Sequence, residues 1–429
     1  MNKNLKKVIS TIAALAVSAS SMVAFATGYP DVPETATYAQ AVKELSALNV
    51  ISGYEDGTFL PDKNVTRAEI TKMIVTSLGS ATLSAANAAA GKDTKFADVP
   101  GSHWASGFVS TATANANSNN GFINGYDETT FGPDDNVTYA QAIKMLVSAL
   151  GYQTYAENNG GWPNGYLNYG YTLEIADGVT GVSNDTQVTR AQVAQMIDNA
   201  IKAPICVIDG YETQWNGTQT PNFVIKDETS TTKKNSWQCL LNYSHDAYVV
   251  NGRVVATQKQ GGVKADEVKI DIEKSNNYDG YQVVPYYNSD NELVAGISNQ
   301  VAYIGESEAD KYLFSYAEMV LQLNDDDEIT ILSISPVGAE SKSVEFAAED
   351  YAAEKSFVTA VDSNNQTYIS DYVVAVYESA NSTSTKKYEV SANTQMYVNG
   401  VPVGTLVANA NTYISKLSLK GLRTLSVAL

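Results

Sequence analysis

Cysteine and histidine are nearly absent from these 429 residues: two of each, Cys206 and Cys239, His103 and His245. Two cysteines cannot form a disulfide framework, and the sequence leaves open whether these two pair. So few histidines, with cysteines so far apart, argue against a zinc site. Positive charge is also scarce. Lys and Arg number 28 against 47 Asp and Glu, a formal net charge of −19. Nucleic acid needs clustered Lys and Arg, and no cluster appears beyond Lys233-Lys234 and Lys386-Lys387. Nucleic acid is therefore excluded as a partner. An anionic ligand would have to be captured by local chemistry, because the overall field repels it. Long apolar runs are missing as well. Beyond the N-terminus no segment offers the roughly 18 uninterrupted apolar residues of a membrane-spanning helix.

The N-terminus itself stands apart. Lys3, Lys6 and Lys7 form a positive start, Val8 to Val23 is mostly apolar, and Ala24-Phe25-Ala26 supplies small residues for cleavage. This pattern predicts a secretory signal peptide over 1–26, with the mature chain beginning at or near Thr27 and spanning no membrane. The chain is 44% hydrophobic, enough to build cores, and its length gives room for about two to four domains.

The dominant signal is an internal repeat. Gly53-Tyr54-Glu55-Asp56-Gly57-Thr58-Phe59-Leu60-Pro61 and Gly125-Tyr126-Asp127-Glu128-Thr129-Thr130-Phe131-Gly132-Pro133 match at five of nine positions. Thr66-Arg67-Ala68-Glu69 and Thr138-Tyr139-Ala140-Gln141 follow at the same distance. A third, eroded copy keeps Gly178-Val179-Thr180-Gly181 and Thr189-Arg190-Ala191-Gln192. Each Thr-x-Ala-Glu/Gln reads as a capping box, in which the Thr hydroxyl and the Glu or Gln side chain satisfy each other's backbone amides. A helix should start at each. Ile70, Met73, Ile74 and Leu78 share one face; Ile143, Leu146, Val147 and Leu150 repeat it, and Val193, Met196, Ile197 and Ile201 repeat it again. Ala41, Val42, Leu45 and Leu48 mark a further amphipathic helix upstream. Ser80 to Gly91 reads as a linker or a poorly packed helix. Three such units need one another to bury their apolar faces.

From about Ala203 the pattern changes to short alternating runs between turn signals, predicting a mainly β region over 204–429. Val249-Val250-Asn251-Gly252-Arg253-Val254-Val255 reads as a strand–Asn-Gly–strand hairpin. Met396 to Val403 resembles it, with Pro402 at an edge or a strand start. Leu321-Gln322-Leu323 and Ile329 to Leu332 flank the acidic turn Asn324 to Glu328, and Tyr286-Tyr287 and Leu293-Val294 flank another.

At these residues the repeats resemble S-layer homology (SLH) domains. That family's unit opens near Phe-x-Asp-Val, often with Trp-Ala soon after, and carries a Gly-Tyr-x-Asp-Gly-Thr-Phe-x-Pro loop followed by Thr-Arg-Ala-Glu. Phe96-Ala97-Asp98-Val99 with His103-Trp104-Ala105, and Tyr29-Pro30-Asp31-Val32, match the openings. The resemblance implies a multidomain protein: an α-helical pseudo-trimeric SLH spindle followed by a mainly β C-terminal region. Its parts would be repeat 1 with a linker over 27–90, repeat 2 over 91–152 and repeat 3 over 153–203. It implies a secreted, non-catalytic protein of the cell wall or S-layer surface. Such a protein binds pyruvylated secondary cell-wall polysaccharide, can self-assemble in a surface layer, and needs no cofactor or metal. Carried over by position, the first groove would use Asp56, Gly57, Thr58 and Arg67, and the third Arg190.

The chemistry of the residues agrees with this. A helix N-terminus offers unpaired amides and the positive end of the dipole. Arg adds a fork for a carboxylate, and Gly57 lets backbone approach a sugar. Asp56 can equally close a turn, and Trp104 reads as core or as a sugar platform. Tyr139 replaces the expected Arg, and the third unit lacks the full loop, so the first groove is expected to bind best. For the C-terminal region a structural or adhesive module is the first reading and a wall or glycan hydrolase the second. The second needs paired carboxylates or a nucleophile with its base. Only Asp325 to Glu328 and His245-Asp246 offer anything of the kind.

Overall fold

The computed structural model describes residues 28–114, 121–215, 219–226, 239–258, 263–272, 297–304, 312–313, 316–323, 328–336, 343–346, 357–361, 363–378, 382–389, 395–398, 401–405 and 425–428. The signal segment, the acidic stretch 324–327 and the Tyr286-Tyr287 and Leu293-Val294 runs lie outside them. Helices occupy the N-terminal region and strands the C-terminal one. The described residues form two compact units, one built mainly on the chain up to Val249 and the other mainly on the chain after it.

The first unit begins with α1 (Ala39–Ala47), α2 (Arg67–Ser77), α3 (Ser80–Ala89) and α4 (Ser106–Thr113). It continues with α5 (Tyr139–Ala149), α6 (Gln153–Asn158), α7 (Asn164–Thr172) and α8 (Arg190–Lys202). Helices α2, α5 and α8 start at complete capping boxes, with Thr66, Thr138 and Thr189 as N-caps. Each such cap stabilises a helix start by about 1 kcal/mol. The predicted apolar faces are buried: Ile70, Ile74, Ile143, Val147, Val193 and Ile197 are all at most 1% exposed.

The stretch read as linker or helix is the helix α3. Its small residues have a packing reason, since a β-carbon on Gly107 of α4 would fall 2.1 Å from the Ala86 carbonyl oxygen. The two backbones meet where no larger side chain fits.

Just before each capped helix stands a fully buried valine. The three are joined backbone to backbone in a closed ring: Val65 N–H donates to Val188 O at 3.1 Å, Val188 N–H to Val137 O at 3.0 Å, and Val137 N–H to Val65 O at 3.0 Å. Residues more than 120 positions apart in sequence are thus held at one centre.

After α8 the chain enters strands: β1 (Cys206–Thr213) pairs antiparallel with β2 (Gln219–Ile225), and the short α9 (Leu240–His245) follows. Cys206 and Cys239 are buried thiols not joined in a disulfide. The next five strands are β3 (Ala247–Ala256), β4 (Glu267–Ile272), β5 (Ile297–Tyr303), β6 (Tyr316–Leu323) and β7 (Ile329–Pro336). They close a barrel in the order β3-β4-β5-β7-β6. Val268, Ile270 and Ile272 alternate inward along β4, the period of two expected of a half-buried strand.

The Asn251-Gly252 hairpin is corrected here: β3 runs unbroken through both residues. Gly252 is required by close approach and not by a turn, because a β-carbon there would lie 2.3 Å from the Asp271 carbonyl oxygen on β4. The later hairpin does form. β12 (Gln395–Val398) pairs with β13 (Val401–Thr405), Val398 opposite Val401 and Tyr397 opposite Pro402, with a register shift between Met396 and Tyr397. They belong to a four-stranded sheet with β8 (Ser343–Phe346) and β14 (Leu425–Ala428). The strands β9 (Phe357–Val361), β10 (Thr367–Tyr377) and β11 (Thr385–Glu389) form a separate three-stranded sheet.

Candidate functional site

Each capped helix meets a loop from a different segment of the chain. At α2, Arg67 N–H donates to Asp135 O and Ala68 N–H to Pro133 O, both at 2.9 Å. At α5, Tyr139 N–H donates to Thr186 O at 2.8 Å and Ala140 N–H to Asn184 O at 3.1 Å. At α8, Arg190 N–H donates to Lys63 O and Ala191 N–H to Pro61 O, both at 2.9 Å. Together with the capping boxes, these bonds use the first amides of every capped helix. The unpaired amides expected at the helix N-termini are therefore not there: neighbouring loops have taken them.

The two arginines extend the same junctions. Arg67 donates from Nε to Phe131 O and from Nη2 to Asn124 O, both at 2.8 Å, and its guanidinium lies 4.4 Å from the Tyr126 ring and 4.8 Å from the Phe131 ring. Arg190 donates from Nε to Phe59 O at 2.8 Å and from Nη2 to Ser52 O at 3.0 Å, with the Tyr54 and Phe59 rings 4.8 and 4.7 Å away. Both side chains are buried. Among the described residues neither forms an ion pair. Burial lowers the pKa of Arg67, and the acidic groups of Tyr126, Asp135 and Asp98 work against it. An arginine keeps its charge in any case.

Arg67 thus packs on the loop 124–135, not on the Asp56-Gly57-Thr58 loop that precedes it in sequence. The arginine at that loop is Arg190. Tyr139 stands at the third junction, against residues 184–186, and carries no cation there.

The loops are built as the sequence motifs suggest. Asp31 accepts from Phe59 N–H at 2.8 Å and Leu60 N–H at 2.7 Å, while Tyr29 packs its ring on Phe59 at 5.4 Å. Asp98 accepts from Phe131 N–H and Gly132 N–H at 2.9 and 2.7 Å, and Phe96 packs on Phe131 at 5.4 Å. The Phe/Tyr-x-Asp-Val opening is therefore a loop brace. Asp56 closes its own turn, accepting from Thr58 N–H at 2.9 Å and Thr58 Oγ1 at 2.6 Å. Those bonds from Thr58 hold its carboxyl below the usual range. Gly57 has φ +81° at the exposed tip, with open space around it. Trp104 is 53% exposed and stacked on His103 at 5.8 Å, so it is a surface side chain and not core.

Lys63 was missed by sequence reasoning. Its Nζ donates to Tyr54 OH at 2.8 Å and pairs with Glu69 Oε1 at 2.9 Å. Its place two residues past the loop proline was the available signal. His245, half of the suggested acid/base pair, is part-buried with Nε2 2.9 Å from the Ser77 carbonyl oxygen. Burial lowers its pKa. In that position the ring braces a helix end.

Comparison with known proteins follows the same segments. The S-layer homology domain matches residues 28–71 and 95–143. A surface layer protein of Brevibacillus choshinensis is 33% identical over 207 residues, 48% of this chain and 18% of that protein. A cell surface protein of Thermoanaerobacter kivui is 30% identical over 288 residues, 66% of this chain and 35% of that protein. A cellulosome-anchoring protein of Acetivibrio thermocellus is 32% identical over 127 residues, 28% of this chain and 26% of that protein. The chain spans about a fifth to a third of the length of these relatives, and their names are those of surface and anchoring proteins, not of enzymes. The two S-layer homology segments and this kinship make the chain a protein of the cell wall and cell surface.

Proposed function

We propose that three interlocked S-layer homology repeats, arranged as a pseudo-trimeric spindle, hold this protein on the wall by binding anionic, pyruvylated secondary cell-wall polysaccharide. The β-rich remainder is a non-catalytic structural or adhesive module that self-assembles in a surface layer. Export proceeds by removal of 1–26. The observation that carries the reading is the pair of buried guanidiniums at repeat junctions, each wrapped by loop carbonyls and aromatic rings with no ion-pair partner among the described residues. Such a cation is set to receive a carboxylate. The closed valine ring supports the three-repeat arrangement, including the third segment, which lies outside the matched residues.

In this reading Arg190 ranks first. It faces the complete Gly-Tyr-x-Asp-Gly-Thr-Phe loop, Arg67 faces the altered one, and Tyr139 has no charge to offer. Sedimentation with purified wall, before and after stripping of its polysaccharide, tests the reading. The intact chain should bind only unstripped wall. Arg190→Ala, shown to be folded by circular dichroism, should bind about tenfold to hundredfold more weakly, as expected for loss of a charge-assisted contact of about 1.5–3 kcal/mol. Equal binding to stripped wall, or a folded Arg190→Ala that binds as wild type, would refute it.

A further inference from the structure

The closed barrel has an order that points to a binding face. Its strands run β3-β4-β5-β7-β6, so the fifth strand in sequence is inserted between the third and the fourth. β3 with β4 and β4 with β5 are antiparallel, while β5 and β7 are parallel, Ala302 opposite Ile329 and Tyr303 opposite Thr330. This is the topology of the OB-fold. In such barrels the face of the second and third strands takes an oligonucleotide or an oligosaccharide, flanked by the loops after the first and fourth strands.

Topology names the face, and the side chains on it decide the ligand. Val268, Ile270 and Ala302 point into the barrel and are at most 1% exposed. By alternation, Glu267, Lys269 and Asp271 lie on the outer face of β4, and Val301 and Tyr303 on that of β5. The register sets Tyr303 opposite Glu267 and Val301 opposite Lys269, with Thr330 of β7 on the other side of Tyr303. Val301 is 46% exposed, an aliphatic side chain open to solvent within a strand. A strip of tyrosine and valine edged by carboxylate, ammonium and hydroxyl groups matches a sugar. The ring and methyls meet its C–H surface, and the polar groups reach its hydroxyls.

The charges select between the two ligand classes. Lys264 Nζ pairs with Glu267 Oε1 at 2.8 Å, and the charges of Asp266 and Glu328 act on the same lysine. In sequence the two flanking connections, 257–266 and 324–328, hold Lys259 and Lys264 against Asp266, Asp325, Asp326, Asp327 and Glu328. Residues 259 and 325–327 are counted from the sequence alone. On the face, Lys269 and Arg253, which stands opposite Asp271, do no more than balance Glu267 and Asp271. A nucleic acid or a polyuronate needs an excess of cations, and this surface has an excess of carboxylates.

We infer that the β4–β5 face of the barrel is a second glycan-binding surface, for an uncharged oligosaccharide, built on none of the residues at the repeat junctions. It adds to the anchoring function proposed above and does not depend on it.

Titration calorimetry of the intact chain tests it, with cellohexaose, maltohexaose and chitohexaose as neutral probes and hexagalacturonate as the anionic one. Wild type should bind at least one neutral hexasaccharide more tightly than the uronate. Tyr303→Ala should weaken that binding about threefold to tenfold, the size of one lost aromatic contact, and Tyr303→Phe should largely restore it. Val301→Lys, at a side chain already in solvent, should block the face with the core intact. Arg190→Ala should bind the hexasaccharide as wild type does. Failure of all three neutral probes, or tighter binding of the uronate, would overturn the inference. So would binding that Tyr303→Ala and Val301→Lys leave intact, including binding that Arg190→Ala removes, which would put the sugar on the repeats. The anchoring function is read separately, by sedimentation with wall, and stands or falls there.

Discussion

Asp198→Asn should abolish a fall in stability between pH 5 and pH 8. Glu44 on α1 and Asp198 on α8 are 1% and 3% exposed, and Lys202 serves both: its Nζ lies 2.6 Å from Glu44 Oε2 and 2.8 Å from Asp198 Oδ2. Two buried carboxylates cannot both stay ionised beside one ammonium. Burial and then the charge of Glu44 push Asp198 up to about 8. Burial works to raise Glu44 too. The Lys202 ammonium and hydrogen bonds from Lys202, Asp198 and Gln40 outweigh it and hold Glu44 below the usual range. Burial works to lower Lys202, and the two carboxylates outweigh it, so its pKa is raised.

The signs separate the three groups. Asp198 keeps its proton in the folded state, so its contribution is complete below about pH 4 and is lost as pH rises to about 8. Glu44 acts the other way and only at acid pH. Lys202 loses its contribution only above the ordinary lysine range. Between pH 5 and 7 the loss from Asp198 is about 2–3 kcal/mol, at about 1.4 kcal/mol per pH unit. Part-buried His245, whose pKa is lowered, works in the opposite sense near its own range, so the difference between variant and wild type is the quantity to read. Asn keeps the shape and a donor. Asp198→Asn should match wild type at pH 5 to within about 1 kcal/mol and exceed it at pH 8. Urea denaturation followed by the fluorescence of Trp104 and Trp162 measures this. A variant curve parallel to wild type across pH 5–8 would show that Asp198 is ionised in the fold and the argument wrong.

Thr189→Ala should cost about 1 kcal/mol by uncapping α8, read as a lower urea midpoint; no change would mean that the loop bonds to Lys63 and Pro61 alone fix that helix start. Leu60 holds φ 56° where the sister loop has Gly132 at φ 72°, so Leu60→Gly should leave thermal stability unchanged or raise it by up to about 1 kcal/mol; a clear drop would show that the exposed Leu side chain is needed. Gly252→Ala should destabilise the barrel by about 1–3 kcal/mol through overlap with the Asp271 carbonyl; wild-type melting would place Gly252 in an open turn after all.

What was legible in the sequence was local. A capping box is four consecutive residues, and all three form at the threonines the sequence marks. The apolar helix faces follow from spacing alone. The Asn-Gly pair in β3 misled because the dipeptide reports that the backbone can turn, while Asp271 on the neighbouring strand decides that it does not. The buried Glu44–Asp198–Lys202 group was hidden in a different way. Glu44 interrupts the apolar face of Ala41, Val42 and Leu45, and Asp198 that of Met196, Ile197 and Ile201. Each anomaly looks like surface until the other is placed beside it.

The hardest element was the partner of Arg67, and its reason is topological. In sequence, the loop at Asp56 and the arginine that follows it are only eleven residues apart, and adjacency suggests a shared site. The chain passes the buried valine ring between them, and at that ring it leaves one junction and enters the next. Val65 donates to Val188 and accepts from Val137. The loop before Val65 therefore faces α8, and the helix after it faces the loop 124–135. Each segment lends its loop to one neighbour and its arginine position to the other. The intact loop is completed by the most eroded segment, which keeps Arg190 and has lost its own loop. Erosion of that loop thus leaves the Arg190 junction whole and falls on the junction with Tyr139. A segment can lose its loop without its arginine, because the two serve different junctions. The substitutions along the chain should therefore be weighed by junction and not by repeat.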